Sequence, residues 1–417
     1  VRGGSTLRGD VPISGSKNAA LPILTASILF EGLLPVRNVP ALRDIDTLLR
    51  LLDVLGVASE RQGDSLVLDG SRLASHEAPY DLVRKMRASI YVLGPLLARL
   101  GRARVSLPGG CAWGPRPVDL HVMAMEQLGA RIDVEHGYLV AAAPSGGLRG
   151  GEIHFPISSV GATCNALFAC ATAKGTTVIE NAAGEPEVVA LADFLGECGA
   201  RIEGQGTRTI RVEGVDELRP VPPRIIPDRI EAGTYLVAAA ITGGTLRLTG
   251  CRPDHLDSVI EAVRAAGSEV ETGPQEIRCR GRIPPAGLHV VTAPYPGFPT
   301  DMQAQMMALA TIGTGVSVVT DTIYLDRFTH VPELNRLGAD IRLDGNTAVI
   351  HPVGELSGAN VMATDLRASA ALILAGLVAK GETKVSRVYH IDRGYEAIVR
   401  KLSSVGADIE RIQEEGP

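Results

Sequence analysis

One cysteine in this chain stands where a thiol could react. Cys111 lies in the stretch Pro108-Gly109-Gly110-Cys111-Ala112-Trp113-Gly114-Pro115-Arg116-Pro117-Val118-Asp119-Leu120-His121, and Arg116 follows it by five residues. Three glycines and three prolines suit neither helix nor strand, so the stretch reads as a long loop. A guanidinium beside a thiol favours the thiolate and tunes it as a nucleophile or an acid. The plain alternative is a surface loop with an incidental cysteine, although a free cysteine at an exposed tip is otherwise avoided.

A second set of chemistry-bearing residues stands at the starts of apolar helices. Lys17 and Asn18 open the first, Arg87 the second, and Ser158 with Ser159 the third. Asp228 and Arg229 open the fourth, Asp301 the fifth, and Asp365 with Arg367 the sixth. Acidic residues at such places can be simple N-caps, and for Asp228 and Asp365 that reading is at least as good as a functional one. Lys17 and Arg87 oppose the helix dipole, and an anionic ligand explains them better. Arg327, in Tyr324-Leu325-Asp326-Arg327, and Arg393, in His390-Ile391-Asp392-Arg393, precede later helices. The neighbouring aspartate could hold either arginine in a structural ion pair, so both readings stay open for these two.

The elements that must position these groups repeat six times. Glycines in leucine-glycine-alanine and its variants fall at Gly56, Gly129, Gly199, Gly267, Gly338 and Gly406, with gaps of 73, 70, 68, 71 and 68 residues. Each follows another glycine (Gly32, Gly101, Gly175, Gly243, Gly315, Gly381) by 23 to 28 residues. Each unit reads as an apolar helix closed by the first glycine, a strand, an amphipathic helix closed by the second glycine, and two more strands. The first helix of each unit has almost no polar face and should be buried all round; the second should face solvent.

Three units per domain is the natural division of 417 residues. The proline cluster Arg219-Pro220-Val221-Pro222-Pro223-Arg224 marks the midpoint. The expected domains are 15–226, which carries the Cys111 loop, and 1–14 with 227–417. The N-terminal segment Val1 to Ser14 has strand character and no helix, and is expected to cross over to the second domain. The fold class is α/β, with three repeated helix-strand units in each domain around buried helices.

Composition excludes several classes. Hydrophobic residues make up 45% and aromatics 4%, so the core is aliphatic, and a net charge of −6 without a basic run argues against nucleic-acid binding. The six cysteines show no zinc-like spacing and suit a reduced cytoplasmic protein. No apolar run reaches membrane-spanning length without glycine, proline or charge, and no leader segment is visible.

Four stretches carry a specific resemblance: Ile13 to Pro22, the loop from Ser106 through His121, Phe298 to Gln305, and Ala363 to Ser369. They resemble the UDP-N-acetylglucosamine 1-carboxyvinyltransferase family along essentially the whole chain. The resemblance implies a two-domain inside-out α/β barrel. It also implies transfer of the enolpyruvyl group of phosphoenolpyruvate to the 3-hydroxyl of UDP-N-acetylglucosamine, by addition and elimination, with release of phosphate. No metal or organic cofactor is expected, and no nucleic-acid or membrane partner; the oligomeric state implied is a monomer or weak homo-oligomer.

By the same resemblance Cys111 is the general acid, able also to form a covalent adduct, and Asp301 is the base at the sugar hydroxyl. Lys17, Arg116 and Arg393 hold the phosphate and carboxylate of phosphoenolpyruvate, with Asn18, Arg87, Arg327 and Arg367 assigned to the same substrate-binding set. Arg116, Pro117, Val118, Asp119 and Leu120 match the segment that grips the uridine diphosphate. Ser159, Val160 and Gly161 lie where the third helix receives the diphosphate, and Ile323 offers a backbone contact to the sugar. Ile157 stands where some members carry a lysine, which puts one diphosphate contact in question; Trp113 and Tyr91 are variable choices. The rivals are a 3-phosphoshikimate 1-carboxyvinyltransferase, against which Met86-Arg87-Ala88-Ser89-Ile90 counts, and a catalytically silent paralogue that binds the nucleotide sugar.

Overall fold

The computed structural model describes residues 1–84, 86–107 and 118–412, and of Arg87 the backbone alone. The chain forms two compact units, Gly15–Ile226 on one side and Val1–Ser14 with Pro227–Pro417 on the other, so it passes between them twice.

Each unit holds two copies of one four-stranded sheet. In Gly15–Ile226 the strands Glu77–Ala78, Arg102–Ser106, Tyr138–Ala142 and Arg131–Glu135 lie side by side in that order, as do Glu152–His154, Thr176–Glu180, Thr209–Glu213 and Arg201–Glu203. The first pair of each sheet is parallel and the rest antiparallel. In the other unit Arg8–Pro12 pairs in parallel with Thr245–Thr249, placing Val11 opposite Leu248. That sheet continues through Glu276–Arg280 to Glu269–Thr272. The alternating burial of Thr209–Glu213 and Thr245–Thr249 turns one face of each sheet inward and the other to water.

The apolar helices fill the inside. Arg229–Thr242 and Gln303–Ala310 are buried along their whole length, as are Val160–Cys170 and Leu366–Gly376 beyond their first residues. Small residues let them approach: a Cβ on Gly94 would stand 2.5 Å from the Asn165 carbonyl oxygen, so only glycine fits where Leu93–Leu100 meets Val160–Cys170. The amphipathic helices behave as their pattern requires. Arg43–Leu55 buries Ile45, Leu48, Leu51, Leu52 and Leu55 and is closed by Gly56 at φ 101°.

Two details differ from the sequence reading. Of the six glycines expected to close the apolar helices, only Gly101 and Gly243 are the caps; the other four helices end earlier, at Ala26, Ala171, Thr311 and Leu377, and Gly315 is not among the glycines with positive φ. The apolar helices are also shorter and tighten at their ends, with short 3₁₀ segments at Ala26–Leu29, Arg87–Val92 and Thr300–Met302. The proline cluster, offered by the sequence as the midpoint boundary, lies just before the division at Ile226. Arg37 donates its N–H to Pro223 at 3.0 Å and accepts from Ile225 at 3.0 Å, so the cluster runs extended along a sheet edge, where missing N–H donors cost little.

Candidate active site

The residues of the Gly15–Ile226 unit gather at helix starts because each cap must satisfy orphan N–H groups there. Ser16 caps Lys17–Thr25 by accepting from the Ala19 N–H, which fixes Lys17 and Asn18 as the first two residues of that helix. Lys17 Nζ lies 3.2 Å from Asp44 Oδ2, and both side chains are largely buried. Asp44 opens the neighbouring helix Arg43–Leu55. The conflict between the lysine and the helix dipole is thus relieved in part by an internal carboxylate, which the sequence reading did not foresee.

Ser159 caps Val160–Cys170 through the Ala162 N–H, so Val160 and Gly161 form its first turn. Val118 stands just before the helix Asp119–Gln127, which Asp119 and Leu120 open. The structure brings these two helix starts together through a residue to which the sequence gave no role. His121 is buried, and a Cβ on Gly161 would lie 3.0 Å from its Cε1 and 3.1 Å from its Nε2. Asn165 fixes the ring. Its amide oxygen accepts from Gly94 N at 2.8 Å, so its NH₂ faces both the Ile90 carbonyl, at 2.9 Å, and His121 Nδ1, at 2.7 Å. His121 Nδ1 therefore accepts, and the proton sits on Nε2. Burial pushes the imidazole down to about 4, which agrees with a neutral ring. Asn165 was the available signal: an amide in the middle of an otherwise apolar helix must be answering buried partners.

In the other unit, Asp301 sits in the 3₁₀ turn Thr300–Met302 that leads into Gln303–Ala310. Its two oxygens are divided between two arginines: Oδ1 lies 2.8 Å from Arg327 Nη2, and Oδ2 lies 2.7 Å from Arg367 Nη2. Side-chain exposure is 26% for Asp301, 14% for Arg327 and 4% for Arg367. Burial alone would raise the Asp301 carboxyl, but the charges of Arg367 and Arg327 outweigh it and hold the group well below the usual carboxylate range. Burial also works against the Arg367 charge, and Asp301 more than restores it. Arg367 Nη1 finds no hydrogen-bond partner among the described atoms, and the guanidinium lies over the Tyr395 ring, 5.4 Å from its centroid.

The caps read from sequence are present as well. Asp228 accepts from the Ile230 and Glu231 N–H groups, and Asp365 from those of Arg367 and Ala368. Of the two open arginines, Arg327 takes Asp301 rather than the aspartate before it, and Asp392 takes Arg411 at 2.8 Å. Arg393 ends the 3₁₀ turn Val388–Arg393. It is placed near the start of Leu366–Gly376 by Gly394, where a Cβ would come within 2.5 Å of Leu366 Cδ2. Ile323 is 36% exposed on the loop after Ser317–Thr320. Ile157 is well exposed. Cys111, Arg116 and Pro117 lie outside the described residues, as does the Arg87 side chain. Among the described residues no cluster of histidine, cysteine and carboxylate side chains could hold a metal ion, and no helix is long and apolar enough to cross a membrane.

A fold of repeated sheets over buried helices, with cationic side chains and capped helix starts, suits a transferase of anionic substrates. Residues 1–402 match the family model described as EPSP synthase (3-phosphoshikimate 1-carboxyvinyltransferase). Over 414 residues the chain is 53% identical to a UDP-N-acetylglucosamine 1-carboxyvinyltransferase of Geobacter metallireducens, covering 99% of each. It is 56% identical to the protein of the same name in Chlorobaculum parvum, covering 99% of this chain and 98% of that one. The crystal structure of the enolpyruvyl transferase NikO from Streptomyces tendae superposes with a TM-score of 0.85 at 26% identity, over 98% of this chain and 97% of that one. The chain belongs to the EPSP synthase family of carboxyvinyltransferases and, at more than half identity along its whole length, to the UDP-N-acetylglucosamine 1-carboxyvinyltransferases within it.

Proposed function

We propose that this protein transfers the enolpyruvyl group of phosphoenolpyruvate to the 3-hydroxyl of UDP-N-acetylglucosamine and releases phosphate. The observation that carries the reading is full-length identity above one half to proteins of that name, joined to a carboxylate clamped between two arginines at Asp301. In the addition step the methylene carbon of phosphoenolpyruvate takes a proton while the sugar oxygen bonds to the adjacent carbon and loses its own. In the elimination step phosphate leaves and the new methyl group gives back one proton, restoring the double bond.

Cys111 delivers the first proton in this reading, and Asp301 takes the proton of the hydroxyl. Arg327 and Arg367 keep Asp301 ionised throughout the neutral range, so the base is always available, though intrinsically weak. A weak base suffices because the hydroxyl proton becomes more acidic as its oxygen bonds to carbon. Lys17, Arg116 and Arg393 neutralise the phosphate and carboxylate of the donor, with Asn18, Arg87, Arg327 and Arg367 in support. Ser159, Val160, Gly161 and the segment Arg116 to Leu120 receive the nucleotide diphosphate, for which a capped helix start supplies N–H donors. The Ile323 backbone meets the sugar. The process served is the first committed step of peptidoglycan synthesis, in the cytoplasm, by a monomer or weak homo-oligomer without a cofactor.

The test is phosphate release from phosphoenolpyruvate with UDP-N-acetylglucosamine or shikimate 3-phosphate as acceptor, with products identified by mass spectrometry. Release with the nucleotide sugar alone, and a product heavier by one enolpyruvyl group, is the expected result. Release with shikimate 3-phosphate alone overturns the substrate assignment. Binding of the nucleotide sugar without turnover overturns the enzymatic one.

A further inference from the structure

Asp321 is a buried carboxylate that the proposed chemistry does not use. It follows the strand Ser317–Thr320 and begins the loop that carries Ile323. Its Oδ1 accepts from Thr292 Oγ1, Ile323 N and Tyr324 N, each at 2.9 Å. Its Oδ2 accepts from Thr300 Oγ1 at 2.6 Å. Its backbone is held by Asn346, to whose carbonyl it donates at 2.9 Å and from whose side chain it accepts at 2.9 Å. Thr322 is bound to Thr292 by two further hydrogen bonds.

These bonds permit one polarity. A carboxylate cannot donate, so the Thr300 proton must point at Asp321. The lone pairs of Thr300 then face away, and Arg327 Nη1, which can only donate, lies 3.0 Å from them. Arg327 Nη2 in turn reaches Asp301. The donor direction runs without conflict from Arg327 through Thr300 to Asp321, and each member fixes the next.

We propose that Asp321 is a positioning residue for the transfer reaction: through Thr300 it orients Arg327 and hence the Asp301 carboxylate, and through two backbone amides it shapes the loop that offers Ile323 to the sugar. The inference rests on the reading of Asp301 and Ile323 given above. Thr300 serves the catalytic carboxylate alone, whereas Asp321 serves both branches. A plain turn-stabilising role for Asp321 would give Thr300 no part in turnover.

The experiment compares Thr300→Val, Thr300→Ser and Asp321→Asn with the wild type, measuring kcat and acceptor KM by phosphate release. Loss of a hydrogen bond to a charged group predicts a fall in kcat of roughly 10- to 100-fold for Thr300→Val, with the acceptor KM within about twofold of wild type. Thr300→Ser, which keeps the hydroxyl, should return kcat to within about threefold. Asp321→Asn should lower kcat and also raise the acceptor KM, because it disturbs both branches. If Asp321→Asn does not fold, the Thr300 pair still decides. A wild-type kcat in Thr300→Val, or equal damage from serine and valine, overturns the inference while the wild-type enzyme remains active. A wild type that does not act on the nucleotide sugar overturns the functional reading first, and this inference with it.

Discussion

Replacing Asp301 by asparagine tests the electrostatics of the clamp directly. The carboxylate neutralises two guanidinium groups at 2.8 and 2.7 Å, of which Arg367 is only 4% exposed. Removing one partner of a buried pair costs about 3–5 kcal/mol, because the other charge is left uncompensated. The cost here should be lower, since Asp301 is 26% exposed and asparagine keeps one acceptor oxygen. We expect about 2–3 kcal/mol at neutral pH, read as a shift in the urea midpoint followed by circular dichroism. The sign with pH follows from linkage. Asp301 titrates below its unfolded value of 3.8, so its contribution is present above that value and is lost as pH falls through the folded one. The gap between wild type and Asp301→Asn should therefore stay level from neutral pH down towards that value and close below it. Adding Arg367→Met to Asp301→Asn should recover stability, since it removes the orphaned charge. In the same variants, loss of the proposed base should lower kcat by about 10²- to 10⁴-fold. Equal urea midpoints at pH 7, a gap that widens on acidification, or a double variant weaker by the full sum of the singles would refute the reasoning.

Three further outcomes follow from other parts of the structure. Gly161→Ala should lower the melting temperature, at a cost of about 1–2 kcal/mol, because its Cβ meets a His121 ring that Asn165 prevents from moving; helix propensity alone predicts a rise, so the sign of the shift decides. Glu231 and Lys401 form a buried pair at 2.7 Å, in which burial raises the carboxyl to about 7 and Lys401 opposes the rise. Glu231→Leu alone should destabilise by about 3–5 kcal/mol in urea unfolding, and adding Lys401→Met should restore at least half of that; a further loss would refute the pairing. Alkylation of the native protein, read by mass spectrometry, should modify Cys111 alone. Burial raises the Cys164 thiol furthest, takes those of Cys170 and Cys279 to about 12, and takes those of Cys198 and Cys251 to about 11. A second site labelled without unfolding would contradict that picture.

What could be read from the chain depended on whether the cause was local. The apolar helices follow from continuous apolar runs and the strand Thr176–Glu180 from its β-branched residues, both properties of neighbouring residues. Asp228 and Asp365 could be recognised as caps because a cap acts within three residues. Partners chosen across the fold were not legible. Arg327 ignores Asp326 and reaches back to Asp301, and Lys17 finds Asp44 twenty-seven residues on. The proline cluster could be read as a boundary, but its pairing with Arg37 could not be read from the prolines.

The supporting groups were harder still, because their residue types are ordinary. Nothing in Thr300 or Asp321 as letters distinguishes them from surface turns. Their importance arises from burial: once Asp321 is removed from water it must be satisfied by donors, and the four it finds come from Thr292, Thr300, Ile323 and Tyr324. That demand fixes the Thr300 proton, the Thr300 lone pairs fix Arg327, and Arg327 fixes one oxygen of Asp301. The orientation of the proposed base is thus set by a desolvation cost at a residue twenty positions further along the chain. For that reason exchanging threonine for valine at position 300, a change that scarcely alters volume, is expected to decide more about turnover than a larger change on the exposed surface.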